Sequence, residues 1–290
     1  MGKLILTAAV FGAVLIVVPV LADEAPPVSK PVARRAAPVR EATAAPVRQA
    51  ATPQSNWTGS QVGGQGGASS MAQGFAEPGA HLCAPATLFA DPCIETPFDY
   101  TGHAASATGG GFLGYRIQLG TIVYGIETDL NYKSASNSWA LSDTNFFRTE
   151  SFTGTIKQTW DGSVRGRAGY LVTPWTLVYG TGGVAYGDVS GSFGYSAHDI
   201  FGFGYSTTGG GSWSDTRVGW TAGGGVETSV GAGLTLRLEY RYTDLGSYSK
   251  SLPLATTCPA GVCPSSPSSA SIVNLHPTNN TVRVGVGLNF

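Results

Sequence analysis

Charge recurs at every second position in several parts of this sequence. Glu127 and Asp129, Arg165 and Arg167, and the run Arg237, Glu239 and Arg241 keep that interval, and Asp161, Arg217, Glu227 and Arg283 stand in the same rhythm among apolar neighbours. Arginine grips carboxylates through a planar fork of donors, so these acids and arginines, if brought together, would neutralise one another by two-pronged ion pairs. Two chemistries fit such a set: a locked salt-bridged plug, or fixed charges that select ions along a narrow path. Catalysis would need a positioned base beside a nucleophile or a pair of carboxylates. His198 with Asp199 and Ser142 with Asp143 invite that reading, but both pairs stand in polar, loop-like stretches, and no enzyme is expected. The four histidines and four cysteines show no metal-ligand spacing, so neither a metal nor another cofactor is expected.

Charge on alternate residues requires an element with two faces and a period of two, which is a strand. In the last segment Val282, Val284, Val286, Leu288 and Phe290 share one face, while Thr281, Arg283, Gly285, Gly287 and Asn289 share the other. The same segregation sets Leu236, Leu238 and Tyr240 against Arg237, Glu239 and Arg241, and Val218, Trp220 and Val226 against Arg217, Thr221 and Glu227. Val164, Ala168 and Tyr170 oppose Asp161, Arg165 and Arg167, and Ile122, Tyr124, Ile126, Leu130 and Tyr132 oppose Glu127, Asp129 and Asn131. Three further strands are expected over 57–66, 107–118 and 175–188, the first and last too rich in glycine for a face assignment.

Connections alternate strictly between short and long. Short turns fall near Leu119-Gly120, Val172 to Pro174 and Gly231 to Gly233, and long loops are expected over 67–106, 133–154, 189–215 and 247–279. Tight turns at one end and long loops at the other are the layout of an all-β, eight-stranded, antiparallel up-and-down transmembrane barrel. A sheet crosses hydrocarbon only when closed, and eight strands leave an interior that side chains just fill. The charged faces then point inward and the aliphatic faces meet outer-membrane lipid, with Tyr132, Trp160, Tyr170, Trp175, Tyr240, Tyr242 and Phe290 as interfacial aromatics. Composition agrees: 12 % charged residues and 41 glycines in 290 residues suit a wall in oil, and a net charge of −1 argues against a nucleic-acid partner. Phe193, Tyr195, Phe201, Phe203, Tyr205 and Trp213, spaced by glycines, read as a hairpin continuing the strands beyond the membrane, with a partner-binding loop as the alternative.

Residues 1–22 read as a secretory signal peptide, with Lys3 before an apolar stretch too short to span a bilayer and Val20-Leu21-Ala22 as the cleavage site. Residues 23–55 form a Pro/Ala-rich disordered tether in the periplasm, able to reach about 100 Å if extended, and residues 56–290 form the barrel. A solvated linker is favoured for the tether, with peptidoglycan contact as the alternative. Export permits disulfides, for which Cys83, Cys93, Cys258 and Cys263 are the candidates; pairing within each local couple is simplest, and links between the couples stay open.

Several segments carry a further signal: Trp57-Thr58-Gly59, Val164-Arg165-Gly166-Arg167-Ala168-Gly169-Tyr170, Tyr179 to Gly187, Gly219 to Glu227, Glu239 to Gly246, and the ending Val282 to Phe290. In this order they resemble the small outer-membrane β-barrel proteins of alphaproteobacteria, the outer-membrane immunogenic or porin-family proteins, which are similar to the membrane domain of OmpA-type proteins. The resemblance implies residence in the Gram-negative outer membrane and recognition of Phe290 by the barrel-assembly machinery during insertion. It also marks a departure: the aromatics usual after the opening Trp-Thr-Gly are replaced by Ser60 and Gln61. The function expected is that of a structural barrel supporting envelope integrity and surface exposure, with a narrow porin-like channel or loop-mediated adhesion as alternatives.

Overall fold

The computed structural model describes residues 56–77, 82–83, 93–94, 98–144, 148–200, 202, 204, 206–257 and 268–290. The expected signal peptide and tether, Cys258 and Cys263 lie outside them; Cys83 and Cys93 are described by backbone alone, facing each other across a small hairpin. The strands are β1 (Gly59–Glu77), β2 (Leu82–Cys83), β3 (Cys93–Ile94), β4 (Phe98–Leu119), β5 (Ile122–Thr144), β6 (Arg148–Thr173), β7 (Thr176–Asp199), β8 (Ser206–Gly231), β9 (Leu234–Asp244), β10 (Tyr248–Thr257) and β11 (Ser268–Asn289). Apart from β2 and β3, all belong to one antiparallel sheet that runs β1, β4, β5, β6, β7, β8, then β9 and β10 in one wall position, then β11, which pairs back onto β1. The ring is thus a closed barrel of eight wall positions. Ser60 and Phe290 exchange backbone bonds of 2.9 and 3.0 Å at the seam where the two chain ends of the barrel meet.

The expected short turns are present at Gly120-Thr121, Pro174-Trp175 and Ala232-Gly233. Gly120 sits at φ +64°, a left-handed conformation that costs glycine nothing and lets two strands reverse within two residues.

At the other end most of the expected loops are strands. β5 runs on to Thr144, β6 begins at Arg148, β7 reaches Asp199 and β8 begins at Ser206, so the stretches 133–154 and 189–215 are largely wall. The expected hairpin of Phe193 and Tyr195 is part of this extension, with both rings buried inside it. Serine- and asparagine-rich sequence resembles a loop only if a strand is assumed to need an oily outer face. Above the membrane it needs the opposite.

Two halves of one ring face two solvents. In the lower half Leu113, Tyr124, Ile126, Leu130, Val184, Leu238 and Val284 are exposed on the outer surface. So continuous a band of large apolar side chains is tolerated only against hydrocarbon. On β5 the band runs from Ile122 to Tyr132, and at about 3.3 Å per residue and a tilt of about 40° it rises about 25 Å, the height of an outer-membrane girdle. Higher up, the apolar residues change face: Trp139 of β5, Phe152 and Ile156 of β6, Val189, Phe193 and Tyr195 of β7, and Val273 and Leu275 of β11 form a buried core, while Ser134, Ser136 and Ser138 face out.

The boundary between the halves carries two irregularities. Register slips between Tyr132 and Ala135 on β5 and between Lys157 and Asp161 on β6, a bulge at the barrel's waist. The Asp188 carboxylate accepts the amides freed there, from Thr159 at 2.9 Å and Trp160 at 2.8 Å, together with the Thr159 hydroxyl at 2.6 Å. The second irregularity separates β8 from β10: residues 210–219 and 245–253 form no ladder with each other. Side chains bridge that split instead, with Lys250 Nζ 2.5 Å from Asp215 Oδ2 and the Arg217 guanidinium 4.4 Å over the Tyr248 ring.

Candidate functional site in the barrel interior

Alternation on eight tilted strands delivers every polar face of the lower half to one narrow lumen. Ten of the eleven charges expected there are buried inside: Glu127, Asp129, Asp161, Arg165, Arg167, Glu227, Arg237, Glu239, Arg241 and Arg283. Arg165 of β6 is the hub. Its Nη2 donates to Glu127 Oε1 at 2.6 Å and Asp129 Oδ2 at 3.0 Å, and its Nη1 to Glu239 Oε1 at 2.9 Å. Arg241 holds both oxygens of Asp129, at 2.9 and 3.1 Å, and reaches Asp161 at 3.0 Å. Arg237 donates to Glu127 Oε2 at 2.7 Å while its guanidinium lies 3.5 Å over the Phe112 ring. Arg283 donates to Glu239 Oε1 at 3.1 Å, and Arg167 bonds Glu227 and stacks over Tyr179.

The decisive geometry is which strands these bonds join. In the ring β9 stands opposite β5 and β8 opposite β4. Arg237 to Glu127 and Arg241 to Asp129 are therefore bonds straight across the lumen, and so is Arg116 to Glu227 at 2.8 Å. Below them Trp57, Val123, Leu171, Leu177 and Tyr179 form an apolar floor, pinned where the Trp57 indole donates to the Pro174 carbonyl at 3.3 Å. Above them the lumen passes into the apolar core of the extension.

Arg217 is the exception. It shares the inward face of β8, but the β8–β9 ladder stops at Trp220 and Asp244, so Arg217 lies above the lattice, beside the β8–β10 split and over Tyr248. Its place is taken by two cations absent from the expected set, Arg116 and Lys133, the latter 2.5 Å from Asp161 Oδ2. Lys133 was legible: it continues the odd-numbered series 127, 129, 131 that the strand had been expected to end. With these two the lattice holds seven cations against five carboxylates. Amides complete it. Gln61 donates to Glu227 at 2.7 Å and Thr235 at 2.9 Å, so this residue, which replaces an aromatic in strand one, belongs to the lumen.

The expected aromatics frame the girdle. Tyr132, Trp160 and Tyr242 stand at its upper edge, joined there by two aromatics outside the expected set, Tyr186 at 6.2 Å from Trp160 and Trp220 at 5.3 Å from Tyr242, and Tyr170, Trp175 and Phe290 stand at its lower edge. Such a belt marks the two interfaces of a bilayer. The residue pairs that suggested catalysis do not converge: Ser142 and His198 face outward on different strands, and Asp143 is exposed at the end of β5.

Residues 42–290 match the outer membrane protein beta-barrel domain family. The chain belongs to that family. It is accordingly a protein of the Gram-negative outer membrane. The 22 kDa outer membrane protein of Rhizobium leguminosarum bv. viciae is 41 % identical to it over 136 residues, 47 % of this chain and 51 % of that protein. The 31 kDa outer-membrane immunogenic protein of Brucella melitensis biotype 1 is 38 % identical over 148 residues, 48 % of this chain and 56 % of that one. The chain thus spans about half the length of the curated relatives it matches, both alphaproteobacterial. Among solved structures, the outer membrane protease OmpT of Escherichia coli is similar with a TM-score of 0.40 and 10 % identity, covering 80 % of this chain and 97 % of that one. Neisserial surface protein A gives a TM-score of 0.29 at 11 % identity, over 80 % and 98 % of the two chains. Likeness at that level transfers no activity.

Proposed function

We propose that this outer-membrane protein is a closed structural barrel, a lipid-anchored pillar that supports envelope integrity and carries a rigid extension above the outer leaflet, rather than a pore. The observation that carries this reading is the set of ion pairs joining opposite strands, β5 with β9 and β4 with β8, across the full width of the lumen. An ion path through an eight-stranded barrel would need those pairs to part, and parting a buried pair costs about 3–5 kcal/mol. No catalytic role belongs to this proposal. The partners this reading takes are outer-membrane lipid around the girdle, the barrel-assembly machinery acting on Phe290, and peptidoglycan as the alternative to a solvated linker for residues 23–55. Disulfides among Cys83, Cys93, Cys258 and Cys263 belong to the proposal, with pairing within each local couple the simplest arrangement and links between the couples open.

Single-channel recording on the purified, refolded protein tests the proposal. A silent planar bilayer is expected, and a stable conductance that changes in Arg237→Ala would overturn it. Binding of purified sacculi by the full chain, lost on deleting residues 23–55, is the corresponding test for the tether.

A further inference from the structure

The extension has a wall whose composition exposure to water does not explain. On the outward positions between 134 and 142 of β5, 149 and 157 of β6, 190 and 198 of β7, and 208 and 216 of β8, fifteen of twenty residues are serine or threonine, and Lys157 alone carries a permanent charge. Soluble surfaces are roughly a quarter to a third charged, which would put about five to seven charges there. The sheet register sets the hydroxyls in ranks. Ser138, Thr155, Ser192 and Ser212 are successive cross-strand partners, and Ser142, Ser151, Ser196 and Thr208 form a second rank. Neighbours stand about 4.8 Å apart across the strands and about 6.7 Å apart along them. The opposite wall differs in degree: hydroxyls such as Ser70, Thr101, Ser249 and Ser251 face out there among Ala72, Gly74, His103, Ala105, Ile272 and His276.

We propose that the hydroxyl wall of β5 to β8 is a docking surface for the saccharide chains of lipopolysaccharide, the glycolipid of the leaflet in which the barrel stands. Continuity selects this occupant. The same four strands carry Tyr132, Trp160, Tyr186 and Trp220 in the belt just below, so a glycolipid with its acyl chains against the girdle lays its sugars against the wall. Chemistry agrees with position. Each serine or threonine hydroxyl both donates and accepts, as sugar hydroxyls do, and Ser138 and Thr155 already stand 2.9 Å apart in that manner. Charge is sparse as well: Lys157 is the one permanent charge among those twenty positions, and Asp188, at the foot of the wall, keeps its negative charge with its oxygens turned to the Thr159 and Trp160 amides.

The test uses the full chain in phospholipid nanodiscs and three probes: intact lipopolysaccharide, its lipid A without saccharide, and the delipidated polysaccharide. Intact lipopolysaccharide should bind at least tenfold more tightly than either fragment. A variant combining Ser136→Ala, Ser138→Ala, Thr155→Ala, Ser192→Ala and Ser212→Ala should lose that preference and keep its affinity for lipid A. A control altered on the opposite wall, with Ser70→Ala, Thr101→Ala, Ser249→Ala and Ser251→Ala, should retain it. In the unmodified protein, methyl resonances of Thr153, Thr155 and Thr208 should shift with lipopolysaccharide and not with lipid A, a readout that needs no variant to fold. Equal affinity for lipopolysaccharide and lipid A, equal loss in both variants, or unmoved threonine methyls would each overturn the proposal.

Discussion

Asp129 is the carboxylate on which the lattice converges, and its replacement by asparagine measures what the lattice contributes. Arg241 and Arg165 donate to it at 2.9 and 3.0 Å, Ser163 and Asn131 at 2.7 Å each, and Arg283 stands 3.8 Å away. The variant would leave seven cations against four carboxylates and would turn an amide NH2 toward groups that are themselves donors. Removing one member of a buried ion pair costs about 3–5 kcal/mol, and the upper part of that range applies here because the positive excess grows. Arg165→Met makes the opposite change, to six cations against five carboxylates, although Arg165 has as many ion pairs as Asp129, three each. Glu127 would still hold Arg237, Asp129 would hold Arg241, and Glu239 would hold Arg283. Its cost is therefore expected near the lower end of the range, about 3 kcal/mol. Urea unfolding of the refolded protein in bilayers, followed by tryptophan fluorescence, reads both values. If Arg165→Met proved the costlier of the two, or if both cost under about 1 kcal/mol, the charge excess would not govern the interior and the reasoning fails.

Three further outcomes are expected. Asp188→Ala strips three bonds from the waist bulge and should cost about 2–3 kcal/mol, with faster hydrogen exchange at the Thr159 and Trp160 amides as the local check. Gly67→Ala would set a methyl 2.0 Å from the Val282 carbonyl oxygen and should prevent β1 from closing the ring, whereas Gly166→Ala, with 3.8 Å to its nearest neighbour, should refold like the parent; heat-modifiable gel mobility separates the two. Phe193→Ala, in the core of the extension, should cost about 3–5 kcal/mol, while Tyr132→Ala, at the bilayer interface, should cost less in the same unfolding assay.

The lower half of the barrel was legible because its two faces differ so much. Oil outside and ions inside leave the sharpest alternation a strand can carry, and from Thr281 to Phe290 or Leu234 to Tyr242 the faces assign themselves. Which cations meet was less legible. Arg217 has the right face and the wrong height, and height is set by where the neighbouring strand β9 stops, which its own residues do not mark. Lys133 lay just past the last outward aromatic, Tyr132, and so past the point where an oily outer face had been taken as the sign of a strand. Gln61 and Gln65 stand in a glycine-rich segment whose faces can be told apart only once partners are known; in the fold both point into the lumen.

The upper half was misread for a deeper reason, which β6 makes plain. On β5 and β7 the apolar residues switch parity on leaving the membrane, from Leu130 and Tyr132 to Ala135 and Trp139, and from Val184 and Tyr186 to Val189 and Phe193. On β6 they keep it: Phe152, Ile156, Trp160, Val164 and Ala168 are all even, and simple alternation would place every one of them in lipid. Yet Phe152 and Ile156 are buried in the core while Val164 is exposed. The bulge at Gln158 to Trp160 reverses the faces without any change in the sequence's phase, because one additional residue in a period of two turns outside into inside. Moving a lumenal arginine such as Arg165 into lipid costs about 2–4 kcal/mol at the bilayer midplane, and moving Phe152 into water forfeits its burial, so β6 is held in register from both ends only if the additional residue sits between them. The two ends of β6 thus decide which solvent each half meets, and a carboxylate on β7, Asp188, satisfies the backbone where the faces exchange, at the height of the belt.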